Sequence, residues 1–264
     1  MRADQMLVER GLAASRSQAQ RLIAAGARWR GQASGQHWRP LAKSDELRPD
    51  AEIELLDAAE ARYVSRGGLK LEGALRACGI DVRGWHCLDV GQSTGGFTDC
   101  LLQHGAAHVT GVDVGHGQLH PKLAQDARVT ALEGINARNL DASQLIAGCA
   151  RHEPAAGHFG TENNVGFELV TGDLSFISLT LVLPALAPLV RPGGHLLMLV
   201  KPQFELQPPQ LGKGGIVRDA SLFDAVEARI RAAAAAAGLR VAAWLPSPIA
   251  GGDGNREFFL HARR

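Results

Sequence analysis

The chain has 264 residues, of which 45% are hydrophobic, enough for a large domain and a small one with substantial cores. Its longest apolar stretch, around Leu196 to Val200, is far shorter than the roughly 20 residues that a transmembrane helix needs, and we expect a cytoplasmic protein without membrane contact. The net charge is +1. The four cysteines are scattered and no histidines cluster near them, so we expect no disulfide framework and no bound metal.

Basic residues are concentrated at the beginning of the chain. Eight of them lie between Met1 and Lys43 against two acidic residues, whereas the segment from Ser44 to Glu60 is mostly acidic. This distribution favours contact between the first segment and the phosphates of RNA, although the same arginines could be ordinary solvated charges. The arginines that we predict to bind RNA are Arg2, Arg16, Arg21, Arg28 and Arg30.

The first segment predicts two helices and a small sheet. A short helix covers about Asp4 to Arg10, and a second helix begins after an N-cap at Ser15 and ends at Gly26. Strand-like pieces such as Glu52–Leu55 follow. The sequence from Arg2 to Gly26 resembles an S4 domain, a module that binds structured RNA in that family. The resemblance implies a small α+β RNA-binding domain over residues 1–62.

From residue 63 onward, apolar strands alternate with helices, as in a doubly wound α/β sheet. The alanine-rich segment from Ser221 to Ala237 predicts a helix with Ser221 as its N-cap, and Arg151 to Asn164 predicts an insertion. We therefore expect a Rossmann-like domain with a seven-stranded, mostly parallel sheet over residues 63–264. The predicted strands lie near His86–Val90, Val109–Val114, Val129–Leu132, Phe167–Thr171, His195–Val200, Arg240–Leu245 and Glu257–His261.

A glycine-rich turn follows the first predicted strand of this domain. Asp89 lies at the end of that strand, and the glycines after it allow the backbone to approach a ligand closely. A dinucleotide site would have a different glycine spacing, whereas a carboxylate here suits the ammonium group of S-adenosylmethionine. Asp113, at the end of the next strand, is placed to accept hydrogen bonds from the ribose hydroxyls of that cofactor. The predicted cofactor-binding residues are Asp89, Gly91, Gly95, Gly96, Phe97, Asp113, Glu133 and Asp173.

Four further polar residues, at strand ends or tight turns, are candidates for catalysis: Lys70, Asp173, Lys201 and Glu257. Methyl transfer to a ribose 2′-hydroxyl requires removal of a proton, which a neutral amine could accept. A second lysine nearby and partial burial would favour the neutral form of Lys201, and Lys70 could be that second lysine. Asp173 would orient Lys201, and Glu257 would hold Lys70 or the ribose. The alternative interpretation is a pair of structural salt bridges.

Seven segments of the chain, in order, resemble the TlyA, or haemolysin A, family. Its members are ribosomal RNA 2′-O-methyltransferases with an S4 domain and an FtsJ-like catalytic domain. The resemblance implies a tetrad of Lys70, Asp173, Lys201 and Glu257, S-adenosylmethionine as cofactor, and cytidine ribose in ribosomal RNA or ribosomal subunits as substrate. Gln92 departs from the family pattern, which has a small residue there. The segments are Ser65–Glu72, Asp89–Asp99, Asp113–Leu119, Gly172–Ser178, Val200–Glu205, Gly212–Asp219 and Gly254–Phe258.

Two alternative functions come from other classes of protein. The haemolysin name suggests a membrane-damaging protein without catalysis, but the helix predicted at Ser221–Ala237 has too weak an apolar face for insertion into a bilayer. A nicotinamide-dependent oxidoreductase would use a similar fold with another nucleotide in the glycine turn. Asp89 and the basic first segment disfavour that alternative.

Overall fold

The computed structural model describes residues 1–13, 15–31, 37–56, 62–149 and 166–264. The predicted insertion from Arg151 to Asn164 lies outside these described residues. By its internal contacts the chain divides into two compact units, Met1–Leu69 and Lys70–Arg264. This division falls a short way beyond the predicted domain boundary after residue 62, which stays a prediction.

The first unit packs two helices against a small antiparallel sheet. As predicted, Ser15 is the N-cap of the second helix, and its side chain accepts a hydrogen bond from the backbone N–H of Gln18 at 3.2 Å. Leu7 and Leu22, one from each helix, are fully buried in the shared core. The elements are helices α1 (Ala3–Glu9) and α2 (Arg16–Gly26) and strands β1 (Ala27–Arg30), β2 (Arg39–Pro40) and β3 (Glu52–Leu55), paired in the order β2-β1-β3.

The second unit is built on a seven-stranded sheet. Its strands are β4 (His86–Val90), β5 (His108–Asp113), β6 (Val129–Glu133), β7 (Phe167–Gly172), β8 (Val190–Val200), β9 (Arg240–Pro246) and β10 (Phe258–Arg263). Strands β4 to β8 run parallel, and β10 runs antiparallel to both of its neighbours. All seven predicted strands are confirmed, although β8 begins five residues before the predicted start at His195. The strands are paired in the order β6-β5-β4-β7-β8-β10-β9.

Helices of the second unit cover a sheet whose central strands are almost wholly buried, as parallel sheets require. The predicted N-cap at Ser221 is wrong, because the helix Ser221–Ala236 is preceded by Ala220 and Ser221 is its first residue. Ser221 instead donates from its backbone and its hydroxyl to Asp219 Oδ1, at 2.9 and 2.7 Å, so the carboxylate just before the helix takes these donors. The helices are α3 (Gly67–Cys78), α4 (Gly96–Gln103), α5 (Pro121–Ala124), α6 (Ala142–Cys149), α7 (Leu183–Leu186) and α8 (Ser221–Ala236).

The strand order creates a crevice at one edge of the sheet, at the carboxyl ends of the parallel strands. Strands β4 and β7 are neighbours, and the chain connects β4 to β5 on one side and β7 to β8 on the other, so the strand order reverses between them. Ligands of doubly wound sheets bind at such a switch point, outside the carboxyl ends of the strands. Because β10 is antiparallel, it begins at this same edge, where Phe258 pairs with Val200.

Candidate active site

Asp89, on β4, lies at the bottom of this crevice with only 1% of its surface exposed. Its Oδ2 accepts a hydrogen bond from the Thr98 hydroxyl at 2.7 Å, whereas its Oδ1 has no hydrogen-bond partner among the described residues. Burial raises the pKa of Asp89 to about 7, against the lowering effect of the Thr98 hydrogen bond, and the charges of Asp173 and Asp113 raise it further. A buried carboxylate oxygen without a partner is costly, so this atom fits a ligand that donates hydrogen bonds and carries positive charge.

The predicted glycines serve close packing around the turn after β4. Gly91 has a φ of +81°, and a Cβ there would lie 2.9 Å from a methyl group of Leu174 and 3.1 Å from the Asp173 carbonyl oxygen. A glycine therefore lets the turn approach the end of β7. Gly95, with a φ of +91°, packs in the same way against Leu119 and Leu123, where a side chain would overlap them.

Gly96 and Phe97 open helix α4 and are both buried. The ring of Phe97 packs against Phe259 with centroids 6.2 Å apart. Its side chain therefore belongs to the core, and any contact of Phe97 with a ligand would come from its backbone.

Asp113 and Glu133 end β5 and β6 and organise the turns beside the crevice. Asp113 accepts backbone hydrogen bonds from Ser93 through Oδ2 and from Gly115 through Oδ1, both at 2.7 Å. Glu133 Oε1 accepts from the backbone N–H of Gly117, also at 2.7 Å. Each carboxylate has further lone pairs, so both can hold these turns and still accept hydrogen bonds from hydroxyl groups.

Lys201 and Asp173 form an ion pair at the ends of two neighbouring parallel strands. Lys201 Nζ lies 2.6 Å from Asp173 Oδ1 and donates to the Ser175 hydroxyl at 2.8 Å. Lys201 directly follows β8, and Asp173 directly follows β7, where Gly172 pairs with Met198. This contact is the one that the predicted orientation of Lys201 by Asp173 requires, and the catalytic role of the pair stays a prediction.

Lys70 and Glu257 form a second ion pair, with Nζ and Oε2 2.6 Å apart and side chains only 9% and 2% exposed. Burial raises the pKa of Glu257, and the charge of Lys70 opposes that rise, as does that of Lys201 more weakly, while Asp173 adds to it. These influences mean that the two pairs are near enough to act on each other. Helix α3 reaches this position because Gly73 packs against Pro248, where a Cβ would lie 2.7 Å from the proline ring.

Several residues that contribute to this site have no individual role in the sequence-based prediction. Ser175 contacts Lys201, and Phe176 beside it is 90% exposed with a φ of +63°, a conformation that costs energy for a bulky side chain. The ring of Phe176 lies 5.0 Å from that of Phe204, which follows β8. An exposed aromatic residue held in a strained conformation beside charged groups is a signal for ligand binding that only the structure reveals.

Two buried polar residues tie the loops of the site together. Glu205 accepts hydrogen bonds from the Ser178 hydroxyl at 2.6 Å and from the Leu179 backbone at 2.7 Å, so it joins the loops after β7 and β8. Asn255, which is 1% exposed, accepts from the backbone of Val217 and donates to the carbonyl of Gly215. It thereby joins the glycine-rich loop before α8 to the turn that carries Glu257.

The arginines predicted to bind RNA lie in the first unit, and most are paired with carboxylates there. Arg2 and Arg16 contact the side chain of Asp4, which is inaccessible to solvent, at 3.2 and 3.0 Å. A hydrogen bond from Gln20 holds the pKa of Asp4 well below its usual range, and the hydrogen bonds from Arg16 and Arg2 lower it further. The remaining pairs are Arg28 with Glu54 at 2.8 Å and Arg30 with Glu52 at 2.6 Å.

Arg21 lies on helix α2. It lines a surface cleft of about 470 Å³ together with Lys43, Gln20, Ile23 and Ala24. Two basic side chains at one cleft are suited to an anionic partner.

Residues 63–264 match the model of the FtsJ-like methyltransferase family. The chain is also 41% identical over 262 residues to TlyA of Mycobacterium tuberculosis, covering 99% of this chain and 89% of that protein. The chain belongs to the TlyA group of the FtsJ-like methyltransferase family. Membership of a methyltransferase family contradicts the alternative of a nicotinamide-dependent oxidoreductase.

Other comparisons agree with this family. YqxC of Bacillus subtilis is 42% identical over 261 residues, covering 98% of this chain and 84% of that protein. A hemolysin-like protein of Streptococcus thermophilus has a similar structure, with a TM-score of 0.71, 37% identity, and coverage of 100% of this chain and 88% of that one. An S-adenosylmethionine-dependent methyltransferase from Mesorhizobium loti shares the fold at 16% identity and a TM-score of 0.51, covering 74% of this chain and 98% of that one.

No helix in the described parts of the chain is both long enough and apolar enough to cross a bilayer. Across the same described ranges, no three side chains of His, Cys, Asp or Glu are grouped as metal ligands.

Proposed function

We propose that this member of the family transfers a methyl group from S-adenosylmethionine to a ribose 2′-hydroxyl of cytidine in ribosomal RNA, free or in ribosomal subunits, in the cytoplasm. The observation that carries the proposal is the Lys201–Asp173 ion pair at 2.6 Å, on the same sheet edge as the buried, unpartnered oxygen of Asp89. The relative in Mycobacterium tuberculosis, 41% identical, is named a 16S/23S rRNA (cytidine-2′-O)-methyltransferase, which supports the substrate class.

Residues on both sides of the switch point suit the parts of the cofactor. Asp89 Oδ1 would accept hydrogen bonds from its ammonium group, and Asp113 and Glu133 would accept from ribose hydroxyls or the adenosine half. When bound, S-adenosylmethionine supplies a methyl group on a positively charged sulfur. The carboxylate of Asp173, beside the end of β4, lies where it can face that positive charge.

Lys201 is the residue that we propose to act on the 2′-hydroxyl. To act as a base, the ammonium form of Lys201 must first release a proton to solvent. The neutral amine then accepts the proton of the 2′-hydroxyl, whose oxygen forms a bond to the methyl group as the bond between that group and sulfur breaks. Asp173 and Ser175 fix the position of Nζ, and Lys70 with Glu257 forms the wall beside it. The four residues thereby hold the hydroxyl in line with the group to be transferred.

The target nucleotide must leave its stack to reach such a site. Unstacked bases in RNA are bound by aromatic side chains, and Phe176 extends from the loop that also carries Asp173 and Ser175. We propose that Phe176 contacts the target base. We propose that residues 1–62, which make up most of the first unit, form an S4-like RNA-binding domain. Arg21 and Lys43, the two basic side chains that line one cleft of this unit, would contact phosphates. Arg28 and Arg30 are each paired with a carboxylate.

The test is a map of 2′-O-methyl groups in ribosomal RNA from cells that lack the protein, cells that carry it, and cells that carry Lys201→Ala. We expect at least one cytidine whose 2′-O-methylation needs the protein and is lost in the variant. If no ribose 2′-O-methyl group depends on the presence of the protein, or if the methyl group that depends on it is found on a base, the proposed reaction is wrong.

A further inference from the structure

Gln92 is buried in the turn after β4, with only 6% of its surface exposed. Its side chain folds back onto the sheet, and its Nε2 donates to the Thr98 hydroxyl at 2.9 Å. Thr98 in turn donates to Asp89 Oδ2 at 2.7 Å. The three residues form a buried chain of hydrogen bonds that ends at the carboxylate.

The direction of this chain matters because a threonine hydroxyl has a single proton. The Gln92 amide occupies a lone pair of the hydroxyl oxygen, so the proton is directed toward Asp89. The carboxylate is held through Oδ2, which leaves Oδ1 without a partner among the described residues.

Gly111 provides the room for the Gln92 side chain. It pairs with Asp89 across β4 and β5, and a Cβ built there would overlap the amide group of Gln92. The φ of Gly111 is not positive, so its backbone conformation does not require glycine. Glycine is needed there because the Gln92 amide occupies the space of a Cβ. The large residue at 92 and the missing side chain at 111 therefore complement each other.

We infer that Gln92 is a positioning residue for Asp89, which orients the carboxylate through Thr98 so that Oδ1 receives the amino group of the cofactor, with Gly111 as the space it requires. This inference rests on the proposed function, because it takes the crevice as the binding site of S-adenosylmethionine. Gln92 itself touches no ligand in this role, and its effect is confined to the amino acid half of the cofactor.

Two ligands separate this role from general packing. S-adenosylhomocysteine carries the amino group, whereas 5′-methylthioadenosine keeps the adenosine half and lacks the amino acid. In calorimetry, Gln92→Leu should weaken S-adenosylhomocysteine about three- to tenfold, as expected for the loss of a hydrogen bond, and should change 5′-methylthioadenosine by less than about twofold. Equal weakening of both ligands, or no change in either, overturns the inference.

Thr98→Val provides a second variant that removes the same link. It should cause the same ligand-selective loss, and adding Gln92→Leu to it should cause almost no further loss, because both act through one hydrogen-bond chain. Fully additive losses contradict the chain. If the wild type binds neither ligand, the proposed function and this inference both fail, whereas normal wild-type binding with unaffected variants removes the inference alone.

The space at Gly111 is tested by thermal unfolding. Gly111→Ala should lower the melting temperature, and the double variant Gln92→Ala with Gly111→Ala should recover most of it while keeping the selective loss of S-adenosylhomocysteine. Absence of this recovery would show that Gly111 does not serve the Gln92 side chain.

Discussion

The amino group of Lys201 lies 2.6 Å from Asp173 Oδ1, although 27 positions of the sequence separate the two residues. Parallel pairing of β7 with β8 causes this proximity, because each residue follows the end of its strand. Lys201 is therefore held in a fixed orientation by Asp173 and Ser175.

Lys201→Ala should abolish methyl transfer while leaving the binding of S-adenosylhomocysteine and RNA unchanged. Loss of general-base help is worth about a hundred- to ten-thousandfold, and lost positioning adds to it. Lys201→Arg keeps the charge but cannot deprotonate, and we expect it to be almost as inactive. Single-turnover rates would measure both effects, with Arg240→Ala at the opposite edge of the sheet as control. An active arginine variant would mean that Lys201 serves only as a positive charge.

Binding of S-adenosylhomocysteine should depend on the ionisation of Asp89. Burial raises the pKa of Asp89 to about 7, with Asp173 and Asp113 as the charged groups that raise it further. The ionised form binds an ammonium group, so affinity should increase as the pH rises through 7 and should level off above it, with a fall of about tenfold per pH unit well below 7. Calorimetry between pH 5.5 and 8.5 measures this slope. Asp89→Asn should bind weakly at every pH, and a wild-type affinity without pH dependence would contradict the contact.

RNA binding should depend on the cleft residues of the first unit. Arg21→Ala and Lys43→Ala should each flatten the plot of log affinity against log salt by about 0.7 to 0.9, since each phosphate contact releases counterions. The matched control is the double variant Arg30→Gln with Glu52→Gln, which removes an ion pair without changing the net charge. Filter binding at several salt concentrations gives the slopes. A larger change of the salt slope in the control than in the cleft variants would indicate that the RNA-binding surface lies on β1 instead of at the cleft.

Replacement of Phe176 separates base contact from catalysis. Phe176→Ala should raise the KM for RNA, as loss of base stacking costs about 1 to 3 kcal/mol, and should leave S-adenosylhomocysteine binding intact. Phe176→Tyr keeps the ring and should restore most of the activity. Because Phe176 has a φ of +63°, Phe176→Gly should also relieve backbone strain and raise the melting temperature. Unchanged kinetics in Phe176→Ala would leave the exposed ring without a role in RNA binding.

Acid should destabilise the second unit through a pair of histidines. His195 Nδ1 and His261 Nε2 are 2.9 Å apart, and burial, with the charges of His195 and Arg263, lowers the pKa of His261 to about 4. The folded chain therefore keeps His261 neutral where the unfolded chain takes up a proton. The free energy of unfolding should fall as the pH decreases from about 6.5 to about 4, by on the order of 3 kcal/mol.

Urea unfolding at several pH values measures this loss. His261→Asn should flatten the pH dependence in that window, whereas His116→Asn, at an exposed position, should not. Equal slopes in the wild type and in His261→Asn would contradict the assignment to His261.

Local patterns were sufficient to predict most elements of the fold. The seven strands follow from runs of apolar residues, and the Ser15 cap follows from a hydrogen bond that spans three residues. The predicted N-cap of α8 is wrong because Asp219, two residues earlier, accepts hydrogen bonds from the backbone N–H and the hydroxyl of Ser221. Such signals are readable because they depend on neighbours in sequence.

The sequence by itself determined the elements, the strand-end acids and, through the family motifs, the four candidate catalytic residues. Only the tertiary structure decided which residues become partners. Lys70 contacts Glu257, which lies almost 190 positions later in the chain, and the Gln92 side chain packs over Gly111. Glu52 and Glu54 form ion pairs with arginines of β1. Pairing of strands and burial bring together residues that are far apart in the chain, and the energies of a hydrogen bond or an ion pair depend on that burial. The order of the residues specifies neither which distant residues meet nor how deeply they are buried, so the folded sheet decided both.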